Sequence, residues 1–178
     1  MRDVTPQDMN LLAETCPNRT EYRDFEFGKY PSYVGNDLLD HLKRPNSLHI
    51  LQLSTTGHSI FQATDPAMLR YLGYPGEKAK RTEMYQATLT LWLGSPEVLK
   101  VINRIVHCSL ERWCLASGND PGLKCNESIY KNPLEYAGCH RYDQSALAII
   151  LSQESGYDVS KYTYQSPMKL FDIERVAG

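Results

Sequence analysis

Cys139-His140-Arg141-Tyr142-Asp143-Gln144-Ser145-Ala146 runs directly into the apolar series Leu147-Ala148-Ile149-Ile150-Leu151. A ring nitrogen, a guanidinium, a phenol, a carboxylate and an amide stand just ahead of a segment built to be buried. Asp143 is a good helix N-cap, because its carboxylate can accept the orphan backbone N–H groups of a first turn. Gln144 and Ser145 then fall in that turn, and the apolar run carries the helix into a core until Gly156 ends it. Polar groups at the mouth of a rigid helix suit a binding or catalytic site. The plainer reading makes Asp143 a cap and leaves His140 and Arg141 as solvated loop residues.

Upstream, Ala87-Thr88-Leu89-Thr90-Leu91-Trp92-Leu93 alternates β-formers and predicts a strand. Ser95 and Pro96 then open a helix with Val98, Leu99, Ile102, Ile105, Val106 and Leu110 as its apolar stripe, running to about Ala116. A Gly/Asn/Pro loop fills 117–134. Leu48–Leu53 reads as a strand, Asp65-Pro66 opens a short helix through Leu72, and Tyr74-Pro75-Gly76 is a turn. Residues 28–47, with Gly28, Pro31, Gly35 and Pro45, read as loop. Thr5-Pro6 opens an N-terminal helix stopped by Cys16-Pro17-Asn18, Tyr22–Phe27 alternates as a half-exposed strand, and Tyr157-Asp158-Val159 predicts a last short one. Strands alternating with helices argue for α/β with some parallel pairing. Strand 87–93 should pack against both long helices, burying Leu89, Leu91, Ile102, Ile105, Leu147 and Ile150.

At 178 residues the chain fits one domain, 1–178, comprising an N-terminal helix and loop (1–21), a core (22–162) and a tail (163–178). Its 19 basic and 21 acidic residues are mixed along the chain, and no Lys/Arg cluster marks a nucleic-acid partner. Apolar runs fall far short of the roughly 18 residues of a membrane span. Met1–Pro6 has no apolar centre, so no signal peptide is expected there.

None of the five cysteines forms a CxxC pair, which argues against structural zinc. Four of them (Cys108, Cys114, Cys125 and Cys139) lie within one short stretch, so at least two should lie close enough to bridge in an oxidising compartment. The sequons at Asn18 and Asn126 point to glycosylation and so the same way. No recognisable Cys/His nucleophile pair, His i, i+4 pair or phosphate-binding glycine loop is present. Trp92 and Trp113 read as core or edge packing.

Lys29-Tyr30-Pro31, Thr55-Thr56-Gly57-His58-Ser59-Ile60-Phe61, the Cys139–Ala146 stretch and Tyr157-Asp158-Val159-Ser160 occur in that order. Together they resemble a family of largely uncharacterised nematode and other invertebrate proteins related to GT-A glycosyltransferases. The resemblance runs from about Tyr22 to Tyr162, and the His-Arg-Tyr-Asp-Gln-Ser stretch is its most specific part. It implies a three-layer, Rossmann-related mixed sheet flanked by helices, a Golgi-like luminal location, and sugar transfer from a nucleotide-sugar to a glycan or protein acceptor. By it, Asp143 is the catalytic or orienting carboxylate, Gln144 bonds the sugar, His140 and Arg141 face the diphosphate, and His58 lies in the substrate-binding set.

Such enzymes usually hold Mn²⁺ or Mg²⁺ on an Asp-x-Asp motif, since the ion needs hard oxygen ligands to bridge two phosphates. This chain has no Asp-x-Asp; the related spelling Asp172-Ile173-Glu174 lies in the tail. Part of the nucleotide-binding half is expected to be missing, and activity with it. The reading from another class is a non-catalytic luminal binding or scaffold domain.

Overall fold

The computed structural model describes residues 32–116, 118 and 121–164, so the expected helix near Thr5, the strand at 22–27, Asn18 and Asp172–Glu174 lie outside the described residues. The chain divides into a unit of residues 1–35 and one of residues 36–178. The second is mixed α/β. In order come α1 (Ser32–Leu42, whose first residues belong to the first unit), β1 (Ile50–Gln52), β2 (Thr55–Ser59), α2 (Pro66–Tyr71), α3 (Gly76–Arg81), β3 (Glu83–Tyr85) and β4 (Thr90–Trp92). Then follow α4 (Pro96–Leu110), a 3₁₀ turn (Glu127–Lys131), α5 (Tyr142–Glu154) and a second 3₁₀ turn (Val159–Lys161).

The helices start where their caps dictate. Asp65 Oδ1 accepts from Ala67 N at 2.8 Å with Pro66 following, and Ser95 Oγ accepts from Val98 N at 3.2 Å with Pro96 following. At the far end of α5, Gly156 adopts φ 70°. There Tyr157 N donates to Ser152 O and Gly156 N to Gln153 O, which satisfies the last carbonyls of the helix.

Among the described residues the strands pair as two antiparallel sheets, β1 with β4 and β2 with β3. Among the described residues, parallel pairing is confined to the bridge Gln52–Thr163. Helix α5 is the centre of the unit. Residues 145–152 are all buried, because five consecutive apolar residues cannot face one side only. One face packs with Val98, Val101, Leu48, Ile50 and Tyr162, and the other with Ile60, Met68, Tyr74, Met84 and Cys139. Arg104 of α4 reaches across to Glu154 Oε1 at 2.6 Å, and Lys100 to Glu154 Oε2 at 2.6 Å.

Several expectations are corrected. The loop expected over 28–47 contains α1, and the turn at Tyr74–Gly76 is the start of α3. Strand 87–93 shrinks to three residues, and α4 stops at Leu110 instead of Ala116, with the bridge Cys108–Cys114 folding the chain back. Tyr157–Val159 is a turn into 3₁₀ structure and forms no strand, while Thr163 and Tyr164, assigned to the tail, are buried. Of the six residues expected in the core, Leu147 and Ile150 are buried, Leu89, Leu91 and Ile105 are half-buried, and Ile102 is exposed. Trp113 is exposed, and Trp92 lies half-open on its short strand.

Four cysteines form two disulfides, Cys108–Cys114 and Cys125–Cys139, with Cα separations of 5.1 and 4.7 Å. They fit an oxidising environment, extracellular or luminal. No helix among the described residues is long and apolar enough to cross a membrane. The second bridge spans 14 residues of chain. Replacing both Cys125 and Cys139 by Ala should lower unfolding free energy by about 3 kcal/mol, less any gain from altered unfolded structure. Urea titration of the oxidised protein and the double variant measures it.

Candidate functional site

The sequence-selected polar residues gather where β2, β3 and the start of α5 meet. β2 and β3 pair Thr55 with Tyr85 and Ser59 with Glu83, with an irregularity between. Gly57 sits in that irregularity at φ 77°, a conformation that disfavours any side chain. Thr56 Oγ1 donates to Met84 O at 2.8 Å across the pair.

His58 is buried against the Tyr130 ring, 4.8 Å between centroids, and its Nδ1–H donates to Ser59 O at 3.2 Å. Burial lowers its pKa; the Ser59 bond opposes this, the Arg141 charge adds to it, and Glu83 opposes it. His58 is therefore neutral at pH 7. Gln144 Nε2 donates to Tyr85 O at 3.0 Å, tying α5 to β3. Arg141 is half-buried and borders an open pocket of about 670 Å³ with Leu123, Lys124, Cys125, Asn126 and Glu127. The rim carries a guanidinium, an ammonium, a side-chain amide and the Glu127 carboxylate, a polar lining with one net positive charge that suits a polyhydroxyl or anionic ligand. A second groove, of about 480 Å³, includes Lys43, Arg44, His49, Glu97, Glu154 and Lys161 in its lining, at the other end of α5.

Two assignments change. The cap residue of α5 is Arg141, not Asp143, and it makes no side-chain cap bond. Asp143 is an exposed residue of the first turn, where its charge still favours the helix N-terminus. The start shifts because Arg141 N is drawn to Ala63 O at 3.0 Å and the Tyr142 ring packs at a tilt against His140, 4.5 Å between centroids. His140 is 1% exposed. Its Nδ1 accepts from Asp65 N at 3.2 Å and its Nε2–H donates to Leu115 O at 2.9 Å. Both ring nitrogens thus serve the backbone, which places this imidazole inside the scaffold rather than facing a phosphate. Glu83 and Tyr130 join the site unannounced by the sequence, since a three-residue strand and a single 3₁₀ turn leave no periodic signal. Asn126 is exposed, its Oδ1 accepting from Ser128 Oγ at 2.7 Å.

Divalent-metal chemistry needs a cluster of hard donors. Among the described residues no group of three or more His, Cys, Asp or Glu side chains could hold an ion, so the donor set for Mn²⁺ or Mg²⁺ is not assembled there. Tyr136 has its phenol pushed up to about 12, by burial and the Asp65 charge, and is no acid near neutrality. No family model, curated protein or solved structure matches this chain.

Because burial holds the folded His58 below 6.5, the unfolded chain binds that proton first as pH falls. The group's contribution to stability is complete above about pH 6.5 and declines as pH drops toward the folded value. His58→Gln should flatten the stability profile between about pH 7 and 5, and the His58 ring resonances should titrate below the ordinary histidine range. Asp143→Asn should move the unfolding free energy by no more than about 0.5 kcal/mol, the range of exposed substitutions, as read from urea midpoints.

Proposed function

We propose that the chain is a glycosyltransferase-like domain of the secretory-pathway lumen that binds a nucleotide-sugar beside the start of α5. Its GT-A-like three-layer architecture, and the ancestral transfer of the sugar to a glycan or protein acceptor, belong to the same proposal. The observation that carries it is the Arg141 pocket, lined also by Lys124, Asn126 and Glu127, with exposed Asp143 two residues along the chain from Arg141. Arg141 would grip the anionic group, since a guanidinium meets phosphate oxygens in a two-pronged geometry that an ammonium cannot match. Gln144 would orient the sugar while anchored to Tyr85, and Asp143 would hold an acceptor hydroxyl. His58 and His140 would fix the floor and wall of the site rather than touch the donor. The disulfides and the exposed Asn126 sequon support the luminal setting.

Among the described residues no donor set for a divalent ion is assembled, which favours a second reading, a non-catalytic luminal domain that binds glycan or nucleotide-sugar without turning it over. Calorimetry against a panel of nucleotide-sugars and free glycans, with transfer and donor hydrolysis assayed in Mn²⁺ and in chelator, separates the two. Binding should weaken by about tenfold or more in Arg141→Ala, the loss of one charged hydrogen-bonding group. Transfer should be undetectable. Metal-dependent turnover abolished by Asp143→Asn would establish a working transferase, glycan binding without nucleotide-sugar binding would favour the second reading, and absence of any binding would overturn both.

A further inference from the structure

Helix α4 carries apolar side chains on two adjoining faces, one buried and one exposed. Val98, Val101 and Cys108 are buried, with Ile105 half-buried beside them. On the exposed face Leu99, Ile102, Val106 and Leu110 are 61%, 39%, 49% and 80% exposed. Their spacing of three, four and four places them in one stripe along the whole helix. Single exposed apolar residues are ordinary, but a continuous stripe is the mark of an interaction surface. The bridge Cys108–Cys114 pins the last turn, so Leu110 is held out in solvent rather than folded back.

We propose that this stripe is the twofold interface of a homodimer, with α4 packed antiparallel on the same helix of a second copy. The pattern reads almost alike from either end. Leu99 and Leu110 stand at equal distances from a point between Arg104 and Ile105, toward the C-terminal half of the helix, and Ile102 and Val106 nearly so. A twofold axis near Ile105 therefore sets Leu99 against the partner's Leu110 and Ile102 against the partner's Val106, as a self-complementary patch requires. The flanking charges obey the same symmetry. Lys100, Asn103, His107 and Glu111 lie together on one side of the stripe, at helical angles that an antiparallel pair brings face to face. Lys100 thereby meets the partner's Glu111, and Asn103 the partner's His107. The Lys100 side chain holds Glu154 at 2.6 Å yet remains 67% exposed, so its ammonium can serve both carboxylates. One helix face is smaller than the roughly 800 Å² per partner of a standard interface, which makes this a weak, concentration-dependent dimer.

Sedimentation velocity of the full oxidised chain over a concentration series tests it. The parent protein should pass from monomer to dimer, and Leu110→Glu should remain monomeric throughout while unfolding at the same temperature as the dilute parent monomer. Glu111→Lys should weaken association by about tenfold by setting like charges opposite each other. A parent protein monomeric at every concentration would overturn the proposal, as would a dimer indifferent to both substitutions. A monomer that Leu110→Glu destabilises would also overturn it, by showing that the side chain packs within the monomer.

Discussion

The backbone of residues 137–145 is fastened to residues 62–65, and the rest of the unit is arranged around that seam. Ala137 N donates to Gln62 O at 2.9 Å and Arg141 N to Ala63 O at 3.0 Å. Asp65 N donates to the His140 ring, while Thr64 Oγ1 meets Ser145 Oγ at 2.9 Å and Ser145 Oγ reaches Ala63 O at 3.2 Å. All these groups are removed from water, where an unmade hydrogen bond costs about 1–3 kcal/mol, so the register is strongly specified. Cys139, fully buried within the seam, adds a covalent tie to Cys125, and Gln62 Nε2 holds the 3₁₀ turn through Ile129 O and Asn132 O.

The seam explains why polar residues stand at one end of a fully buried helix. With Arg141 N fixed to Ala63 O, α5 must start beside β2 and β3, so Gln144 meets Tyr85 and the Arg141 side chain opens toward Lys124 and Asn126. His140 is the pivot of this arrangement, accepting from the segment between β2 and α2 and donating to the segment that follows α4. Its chemistry is that of a bivalent hydrogen-bonding spacer, which a neutral imidazole with one donor and one acceptor supplies. A ligand site built this way inherits rigidity from the core, which favours orientation of a bound group over induced closure.

Much of the scaffold was legible because it depends on local chemistry. Asp65-Pro66 and Ser95-Pro96 announce helix starts through capping oxygens and a preset φ, and the apolar run 147–151 announces a helix entering the core, which the structure buries on all sides. The clustering of Cys108, Cys114, Cys125 and Cys139 pointed to bridges, though not to their pairing. What was illegible depends on partners distant in sequence. Asp143 is the better cap in isolation, yet the bond from Arg141 N to Ala63 O moves the helix start ahead of it. Residues 32–42 hide a helix behind Pro31, Gly35 and Pro45, while β2 and β3 are too short to show alternation. The α4 periodicity was read as one core stripe, whereas the core takes only the side of Val98 and Val101. At the site, the residue types were visible in sequence, but that His140 serves the backbone, and that Glu83 and Tyr130 join His58, follows only from tertiary contacts.

Native-state hydrogen exchange at single-amide resolution tests the central place of this seam most directly. The amides of Asp65, Ala137, His140, Arg141 and Ser145 should exchange only through global unfolding, at the full unfolding free energy of the oxidised protein. Exchange of these amides through a low-energy local opening, while the amides within α4 and α5 stay protected, would contradict the account.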